Sequence, residues 1–465
     1  MKSLKFDTFL KYSLYSYLIW SFIRFSLTFS ENNTFWIVPY ISPLTGLIEP
    51  VYILLFIVSA IIICLKGTKI KIVSAIFISL ILLAFITSSF ISTGSIVNSF
   101  KFFAGYYKFI PLFLISTYLY KREQLNIETL LKIIIGLIGF QFAINLLWFY
   151  DIQILRNTRA LLPGNPDWAY GTMENTHMLA VSYIVFFVLG LFCWSKKYRR
   201  LKLVGLLILV IGVVQLAWSE SKANFLTTVL SLFFILIIEP GKGISMKKFG
   251  LIIGLLFGFV FVSALVYSDL SHFAASEKST WANIKSFWDV LVISLEYNYK
   301  IQFLSFIIND FQEDILNFLF GAGPGILASN FAIENPTYLS QEYFIPLMNK
   351  NFNTGNSILM NPHTGYTAIL GDLGWFGFIS YFGFHFYLLF KLSLKFKNGK
   401  FKSNHYRLAA MIWIGLMVNY LLNNIFKDIL YIGAPIAILW ILGGILLSYS
   451  YKHQMKYKLV EGRCQ

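Results

Sequence analysis

Long apolar runs alternate with short polar or basic segments along almost the whole chain. About twenty apolar residues in helical conformation are enough to cross the hydrocarbon core of a membrane. The pattern therefore predicts an all-α polytopic membrane protein with about twelve transmembrane helices. The predicted spans are residues 12–30, 46–65, 72–92, 101–120, 130–150, 176–194, 201–218, 223–239, 249–268, 364–390, 408–425 and 429–449.

The composition agrees with a location in lipid. The chain of 465 residues is 57% hydrophobic and 13% charged, and its mean hydropathy is +0.67. A soluble domain needs roughly a quarter of its residues charged, so lipid must cover much of this surface. In a soluble protein the net charge of +16 would suggest a nucleic-acid partner. Here we attribute that charge to membrane anchoring and expect no nucleic acid.

The basic residues are concentrated in alternate loops and at the two ends of the chain. Most of the 38 lysines and arginines would lie on one side of the membrane if every predicted span is real. Cytoplasmic loops are enriched in lysine and arginine, so we expect both termini in the cytoplasm. The clusters are Lys2–Lys11, Lys66–Lys71, Lys121–Lys132, Lys196–Lys202, Lys242–Lys248, Lys391–Arg407 and Lys452–Arg463.

On the predicted outer side, one loop is much longer than the rest. Residues 269–363 carry few charges, and within them 284–320 has apolar residues at helical spacing. This spacing predicts amphipathic helices that lie on the bundle or at the membrane interface. We therefore divide the chain into a nine-helix membrane region (1–268), the large external loop (269–363), and three C-terminal membrane helices with a cytoplasmic tail (364–465).

Positive charges outside these clusters are candidates for function, because a charge in or beside a span is costly. Lys222 lies at an outer turn, where it either snorkels to the interface or binds an anion. Lys300 lies on a candidate helix of the large loop and is either solvated or an anion ligand. Arg156 and Arg159 are either ordinary loop residues or a bidentate clamp for phosphate. Lys108 falls within the fourth predicted span.

Three other features bear on the chemistry. His363 lies where the large loop returns to the membrane, and is either structural or a general base for a hydroxyl group. The segment GAGPG at 321–325 lacks the lysine and serine of a P-loop, so we interpret it as a tight turn. Asp310, Glu313 and Asp314 have the pattern of one solvated helix face. We expect no metal ion and no cofactor.

Four segments together resemble the O-antigen ligase and O-antigen polymerase superfamily of bacterial envelope glycan assembly. In family order they are YGTMENTHMLAVSYIVFF at 170–187, SESKANFLTTVLSLFFIL at 219–236, NYKIQFLSFIINDF and LFGAGPGILASNF within 298–331, and HTGYTAILGDLGWFGFISYF at 363–382. Lys222 and Lys300 stand where the family has arginine, which would replace bidentate recognition of phosphate by a point charge. Thr364 follows His363 where the family commonly has asparagine.

The resemblance implies a GT-C-like glycosyltransferase bundle in the bacterial cytoplasmic membrane, with its active site facing the periplasm or exterior. The implied donor is a glycan linked to undecaprenyl pyrophosphate, and neither a metal nor a nucleotide sugar takes part. His363 would activate the acceptor hydroxyl, and cations would stabilise the leaving diphosphate. The cations assigned to this task are Lys222, Lys300, Arg156, Arg159 and Lys108.

These expectations point to a polymerase of lipid-linked oligosaccharide repeat units for O-antigen or capsular polysaccharide. One alternative is a ligase that moves the finished glycan to lipid A core or to another terminal acceptor. An alternative of another class is a flippase or transporter of the same lipid-linked sugars, and a structural membrane subunit has no positive sign in the sequence. Membrane lipid, a chain-length regulator and a flippase are the further partners to expect.

Overall fold

The computed structural model describes most of the membrane region and two parts of the large loop. The described residues are 2–28, 38–65, 72–91, 96–150, 176–218, 222–240, 299–309, 311–327, 364–426 and 433–461, with isolated residues between 250 and 341. About 89% of the described structure is helical, and none of it is β-strand. The predicted all-α class is therefore confirmed for this part of the chain.

The helices follow the apolar runs closely. In chain order they are α1 (Lys2–Thr28), α2 (Val38–Leu65), α3 (Ile72–Ile91), α4 (Ile96–Phe102), α5 (Ile110–Lys121), α6 (Ile127–Phe149), α7 (Thr176–Ser182), α8 (Ile184–Trp194), α9 (Arg199–Trp218), α10 (Lys222–Ile238), α11 (Tyr299–Asn309), α12 (Ile315–Phe320), α13 (Gly365–Lys397), α14 (Asn404–Phe426) and α15 (Gly433–Glu461). A π-helical turn, Phe103–Tyr107, joins α4 to α5, and a 3-10 turn, Phe311–Glu313, joins α11 to α12.

Within the described residues, six segments are long and apolar enough to cross a membrane. They are α2, α3, the continuous stretch from α4 through α5, α6, α13 and α14. Shorter apolar helices lie at Leu179–Trp194, Leu226–Ile238 and Ala434–Tyr449. These helices fit a membrane-embedded protein, while the count of twelve spans and the cytoplasmic position of both termini stay predictions. The ninth predicted span, 249–268, lies almost wholly outside the described residues.

The outer surface of the bundle suits a hydrocarbon environment. On α2 the large side chains Val51, Leu54 and Val58 are all exposed, and Ile76 and Leu83 on α3 are exposed in the same way. Contiguous apolar patches of this kind are rare on soluble monomers. Lipid contact at these faces removes the hydrophobic penalty that water would impose.

The centre of the bundle is formed by helices that are buried almost all round. Ten consecutive residues of α5, Ile110–Leu119, are buried, and α5 packs along α15. Their neighbour α14 is buried along most of its length and packs against α8, α10, α13 and α15. Helices that are apolar on every side need such positions, because they have no polar face to turn towards water.

Helices α8 and α9 approach each other through a pair of glycines. A Cβ atom on Gly205 would lie 2.7 Å from the carbonyl oxygen of Gly190, and one on Gly190 would lie 2.9 Å from the carbonyl oxygen of Gly205. Small residues at matched positions let membrane helices come into backbone contact. The α8–α9 interface therefore depends on the absence of side chains at these two positions.

Replacing Gly205 with leucine should separate α8 from α9 and destabilise the protein by about 1–3 kcal/mol. The matched control is Gly136→Leu on α6, where a Cβ atom would have no neighbour within 4 Å. Thermal unfolding of the purified protein in lipid would show a lower midpoint for the first variant and little change for the second. Equal midpoints for the two variants would contradict the close approach.

Candidate functional site

The start of α10 is joined to the end of α14 by neutral polar side chains. Asn423 donates from Nδ2 to Thr227 Oγ1 at 2.8 Å and to Asn419 Oδ1 at 2.6 Å. Asn419 donates from Nδ2 to Thr228 Oγ1 at 3.1 Å, and all four side chains are buried. Hydrogen bonds between helices hold such contacts together where no water competes. They fix the beginning of α10, whose first residue is Lys222, against α14.

The start of α13 packs on the same two turns of α14. The hydroxyl of Tyr366 donates to the carbonyl oxygen of Leu421 at 2.8 Å. A Cβ atom on Gly365 would collide with the side chain of Asn424, so the two helices are in close contact there. We define the junction as residues Lys222–Thr228, Thr364–Leu370 and Asn419–Asn424. It places the first turns of α10 and α13 at one end of the bundle.

A capping box fixes the position at which α13 begins. Thr364 accepts a hydrogen bond at Oγ1 from the backbone N–H of Thr367 at 3.1 Å, and Thr367 Oγ1 accepts from the backbone N–H of Thr364 at 2.7 Å. Reciprocal caps of this kind satisfy two donors that a helix start leaves free. His363 is the residue immediately before this cap.

Helix α11 packs against α13 through one apolar face. Phe303 and Ile307 are buried on that face, three and seven residues beyond Lys300. The indole of Trp375 donates to Gln312 Oε1 at 2.9 Å just after α11 ends. The other buried members of this cluster are Ala322, Ile326, Leu327 and Leu370. Helices are thus present at Tyr299–Asn309 and Ile315–Phe320 within the predicted range, whereas their place in an external loop stays a prediction and 284–298 lies outside the described residues.

The glycine-rich segment is a tight turn, as the sequence indicated. Gly321, Gly323 and Gly325 have φ angles of 69°, 110° and 75°, a region that residues with a Cβ atom rarely adopt. The turn docks on α13, where the N–H of Ala322 donates to the carbonyl oxygen of Gly371 at 2.8 Å. This docking joins the loop helices to the helix that follows His363.

Lys108 is buried and paired. Its ammonium nitrogen lies 2.7 Å from Oε1 of Glu49 on α2, and the side chains are 7% and 22% exposed. It directly follows the π-helical turn Phe103–Tyr107, a distortion found often at functional sites. Because Glu49 offsets the charge of Lys108, the pair contributes less positive potential than a lone lysine. The assignment of Lys108 to a diphosphate stays a prediction.

The ion pair between Lys108 and Glu49 is expected to contribute to the stability of the fold. Lys108→Met should destabilise the protein by about 1–3 kcal/mol, because the Glu49 carboxylate loses this counter-ion in a partly buried place. Lys108→Met combined with Glu49→Gln should recover much of that loss. Thermal unfolding of the single and double variants measures the coupling. Fully additive effects would show that the two charges do not stabilise one another.

The remaining predicted site residues fall beyond what the structure describes. His363, Arg156 and Arg159 lie outside the described residues. Lys222 and Lys300 are placed as the first residue of α10 and the second of α11, but their side chains are not described. The structure thus brings together the helices that carry these candidates, and their shared site stays a prediction.

No family model matches the chain, and no curated protein matches it. The likeness to the O-antigen ligase and polymerase superfamily therefore rests on the four quoted motifs alone. Within the described ranges, no group of three or more histidine, cysteine, aspartate or glutamate side chains is placed to hold a metal ion.

The sequence analysis missed two acidic residues within apolar helices, one buried and one partly buried. Asp372 on α13 is completely buried, and Glu49 on α2 pairs with Lys108. Each is the sole acidic residue of its helix, and an ionisable residue inside a span marks a functional candidate. That signal was present in the sequence, but the partner of each acid is distant along the chain.

Proposed function

We propose that the protein is a polymerase of lipid-linked oligosaccharide repeat units. It transfers glycan from undecaprenyl pyrophosphate to an acceptor sugar hydroxyl at the outer face of the bacterial cytoplasmic membrane. The observation that carries the proposal is that α10, which begins at Lys222, and α11, which carries Lys300, both pack against the helix that follows His363. Helix α13 contacts both α10 and α11.

The positions of the three candidate residues suit an anionic substrate. Lys222 is the first residue of α10, Lys300 is the second of α11, and His363 precedes the cap of α13. A lysine on each of two helices that pack against α13 can bring positive charge to a leaving diphosphate. A histidine just before α13 can serve as the base for the acceptor hydroxyl. These residue types in these places support a diphosphate site.

The proposed reaction forms one glycosidic bond and breaks one bond to phosphate. The acceptor hydroxyl oxygen attacks the anomeric carbon of the donor, and the carbon–oxygen bond to undecaprenyl diphosphate breaks. The hydroxyl proton passes to the His363 imidazole and from there to water. Lys222, Lys300, Arg156 and Arg159 stabilise the charge that grows on the leaving diphosphate.

The membrane setting supports a lipid-linked substrate. The exposed apolar faces of α2 and α3 give a hydrocarbon surface along which a polyprenyl tail can lie. The buried amides and hydroxyls of the junction bond to one another and hold the first turns of α10 against α14. A substrate with an apolar tail suits the exposed faces of α2 and α3, and its charged diphosphate suits the lysines.

A deletion strain tests the proposal against its alternatives. The strain is complemented with the wild-type chain or left without it, and surface and lipid-linked glycans are profiled by length. A polymerase predicts that the deletion leaves single repeat units on the surface. Loss of all surface glycan with lipid-linked polymer accumulating would mean a ligase. Lipid-linked single units confined to the cytoplasmic face would mean a flippase.

A further inference from the structure

Asp372 is a completely buried carboxylate in the apolar helix α13. It lies two residues before Gly374, where a positive φ of 63° kinks the helix. A carboxylate in such surroundings is costly unless hydrogen bonds satisfy it. The groups that donate hydrogen bonds to the Asp372 carboxylate therefore indicate its role.

The carboxylate of Asp372 binds the glycine-rich turn. Its Oδ2 accepts from the backbone N–H of Gly325 at 2.9 Å, and its Oδ1 accepts from the N–H of Leu327 at 2.9 Å. Its own carbonyl oxygen accepts from the N–H of Gly323 at 2.9 Å. Hydrogen bonds to an ionised acceptor are about twice as strong as neutral ones. One residue thus anchors the turn at several points.

A residue of helix α3 also contacts the place where the glycine-rich turn meets α13. Ser88 lies within hydrogen-bond distance of the carbonyl oxygens of both Phe320 and Asp372, at 2.6 and 3.0 Å. The backbones are so close that a Cβ atom on Gly321 would lie 2.5 Å from the nitrogen of Gly374. The turn and the kink of α13 therefore form one tightly packed unit.

The backbone N–H groups of the glycine-rich turn already have acceptors within the protein. A glycine-rich turn with free N–H groups can cradle an anion, and a diphosphate is the anion expected here. The N–H groups of Gly323, Gly325 and Leu327 all donate to Asp372 instead. The protein supplies its own carboxylate to the turn, so the turn serves to hold helices together.

We propose that Asp372 is a positioning residue that docks the 321–327 turn on α13 and thereby sets α11, which carries Lys300, relative to the start of α13, the helix that follows His363 in the sequence. The catalytic consequence rests on the proposed function, whereas the docking does not. Since the turn is occupied by this carboxylate, the diphosphate binds at the lysines and not at the glycines.

Hydrogen exchange of the full-length protein in lipid nanodiscs tests the docking directly. In Asp372→Asn one acceptor becomes an N–H donor that faces another donor, so the amides of 321–327 should exchange about 10- to 100-fold faster. Asp314→Asn is the matched control, because Asp314 caps α12 through the N–H of Leu316 and asparagine caps equally well. Unchanged exchange at 321–327 in Asp372→Asn would overturn the docking, whatever the protein does.

Transfer kinetics in the same preparations test the catalytic consequence. Misplacing a reacting group by about 1 Å lowers the rate about 100-fold, so kcat should fall by that order in Asp372→Asn while KM for the lipid-linked donor stays within about twofold. Faster exchange with unchanged kcat would overturn the positioning role and leave the proposed function standing. Absence of transfer by the wild-type chain would refute the proposed function, and the exchange result would still decide the docking.

A second variant covers the case in which Asp372→Asn fails to fold. Ser88→Ala removes the hydroxyl that contacts Phe320 and Asp372 but leaves the carboxylate in place. It should raise exchange at 321–327 about tenfold with a parallel loss of kcat. Wild-type values of both quantities in a folded Ser88→Ala protein would contradict the proposal.

Discussion

Replacing His363 with alanine is expected to lower the rate of glycan transfer by about 10²- to 10⁴-fold, the usual contribution of a general base. The imidazole that receives the proton of the acceptor hydroxyl would be gone. The initial rate of polymer formation by the purified protein in lipid measures the loss. Helix α13 should persist in the variant, because its capping box consists of Thr364 and Thr367.

The control for His363 is another histidine on the same scaffold. His405 is the second residue of α14 and is about half exposed. It lies at the start of that helix, whereas the junction is formed by its end. His405→Ala should leave the transfer rate unchanged. A rate for His363→Ala within about twofold of wild type, with the protein intact, would remove this histidine from the mechanism.

Loss of either candidate lysine is expected to lower the transfer rate by about 10²- to 10³-fold. Lys222→Met and Lys300→Met keep much of the apolar stem and remove the charge that stabilises the leaving diphosphate. Turnover of a synthetic polyprenyl diphosphate-linked repeat unit measures the effect. Lys202→Met is the matched control, because Lys202 is exposed near the start of α9, away from the junction.

The arginine variants separate charge from packing. Lys222→Arg and Lys300→Arg keep a cation at positions where the resembling family has arginine, and arginine offers a bidentate fork to phosphate. Both should retain most of the transfer rate. If the methionine variants lose activity and the arginine variants lose it equally, the lysines act through shape or packing and not through charge.

The helices of the bundle were largely predictable, because long apolar runs specify them directly. The predicted span 130–150 corresponds to α6 and 201–218 to α9, with boundaries that agree within a few residues. The interruptions were not predictable. At Gly374 the kinked backbone lies against Leu319–Gly321, a contact between distant segments that local apolarity does not encode. The π-helical turn Phe103–Tyr107 likewise leaves no mark on the apolar pattern. The predicted start at residue 101 was late, since the helical stretch begins at Ile96.

The sequence indicated the candidate charges of the proposed site but not the contacts that support the helices carrying them. Lys222 and Lys300 stood out because external basic residues run against the distribution of charge. Asp372 did not, because its partners Gly325 and Leu327 lie more than forty residues earlier in the chain. The sequence contains the acid and the glycines, but their contact depends on how α11 and α13 fold together.

A transporter of lipid-linked sugars is the alternative from another functional class, and it requires a different arrangement of charges from a transferase. It would need charged or polar groups along a path through the bundle near the middle of the membrane. Of the described residues, the buried charged ones are Asp7, Lys108 and Asp372. Asp372 is committed to the 321–327 turn and Lys108 to Glu49. Asp372 and Lys108 thus have partners inside the protein, which argues against a transport path built on these two charges.

The most direct measurement uses purified protein in liposomes that contain a polyprenyl diphosphate-linked repeat unit and no metal or nucleotide. The account predicts that the glycan becomes longer, that polyprenyl diphosphate is released in step with each new glycosidic bond, and that His363→Ala stops both. Movement of intact lipid-linked units across the bilayer, with no release of polyprenyl diphosphate, would contradict it.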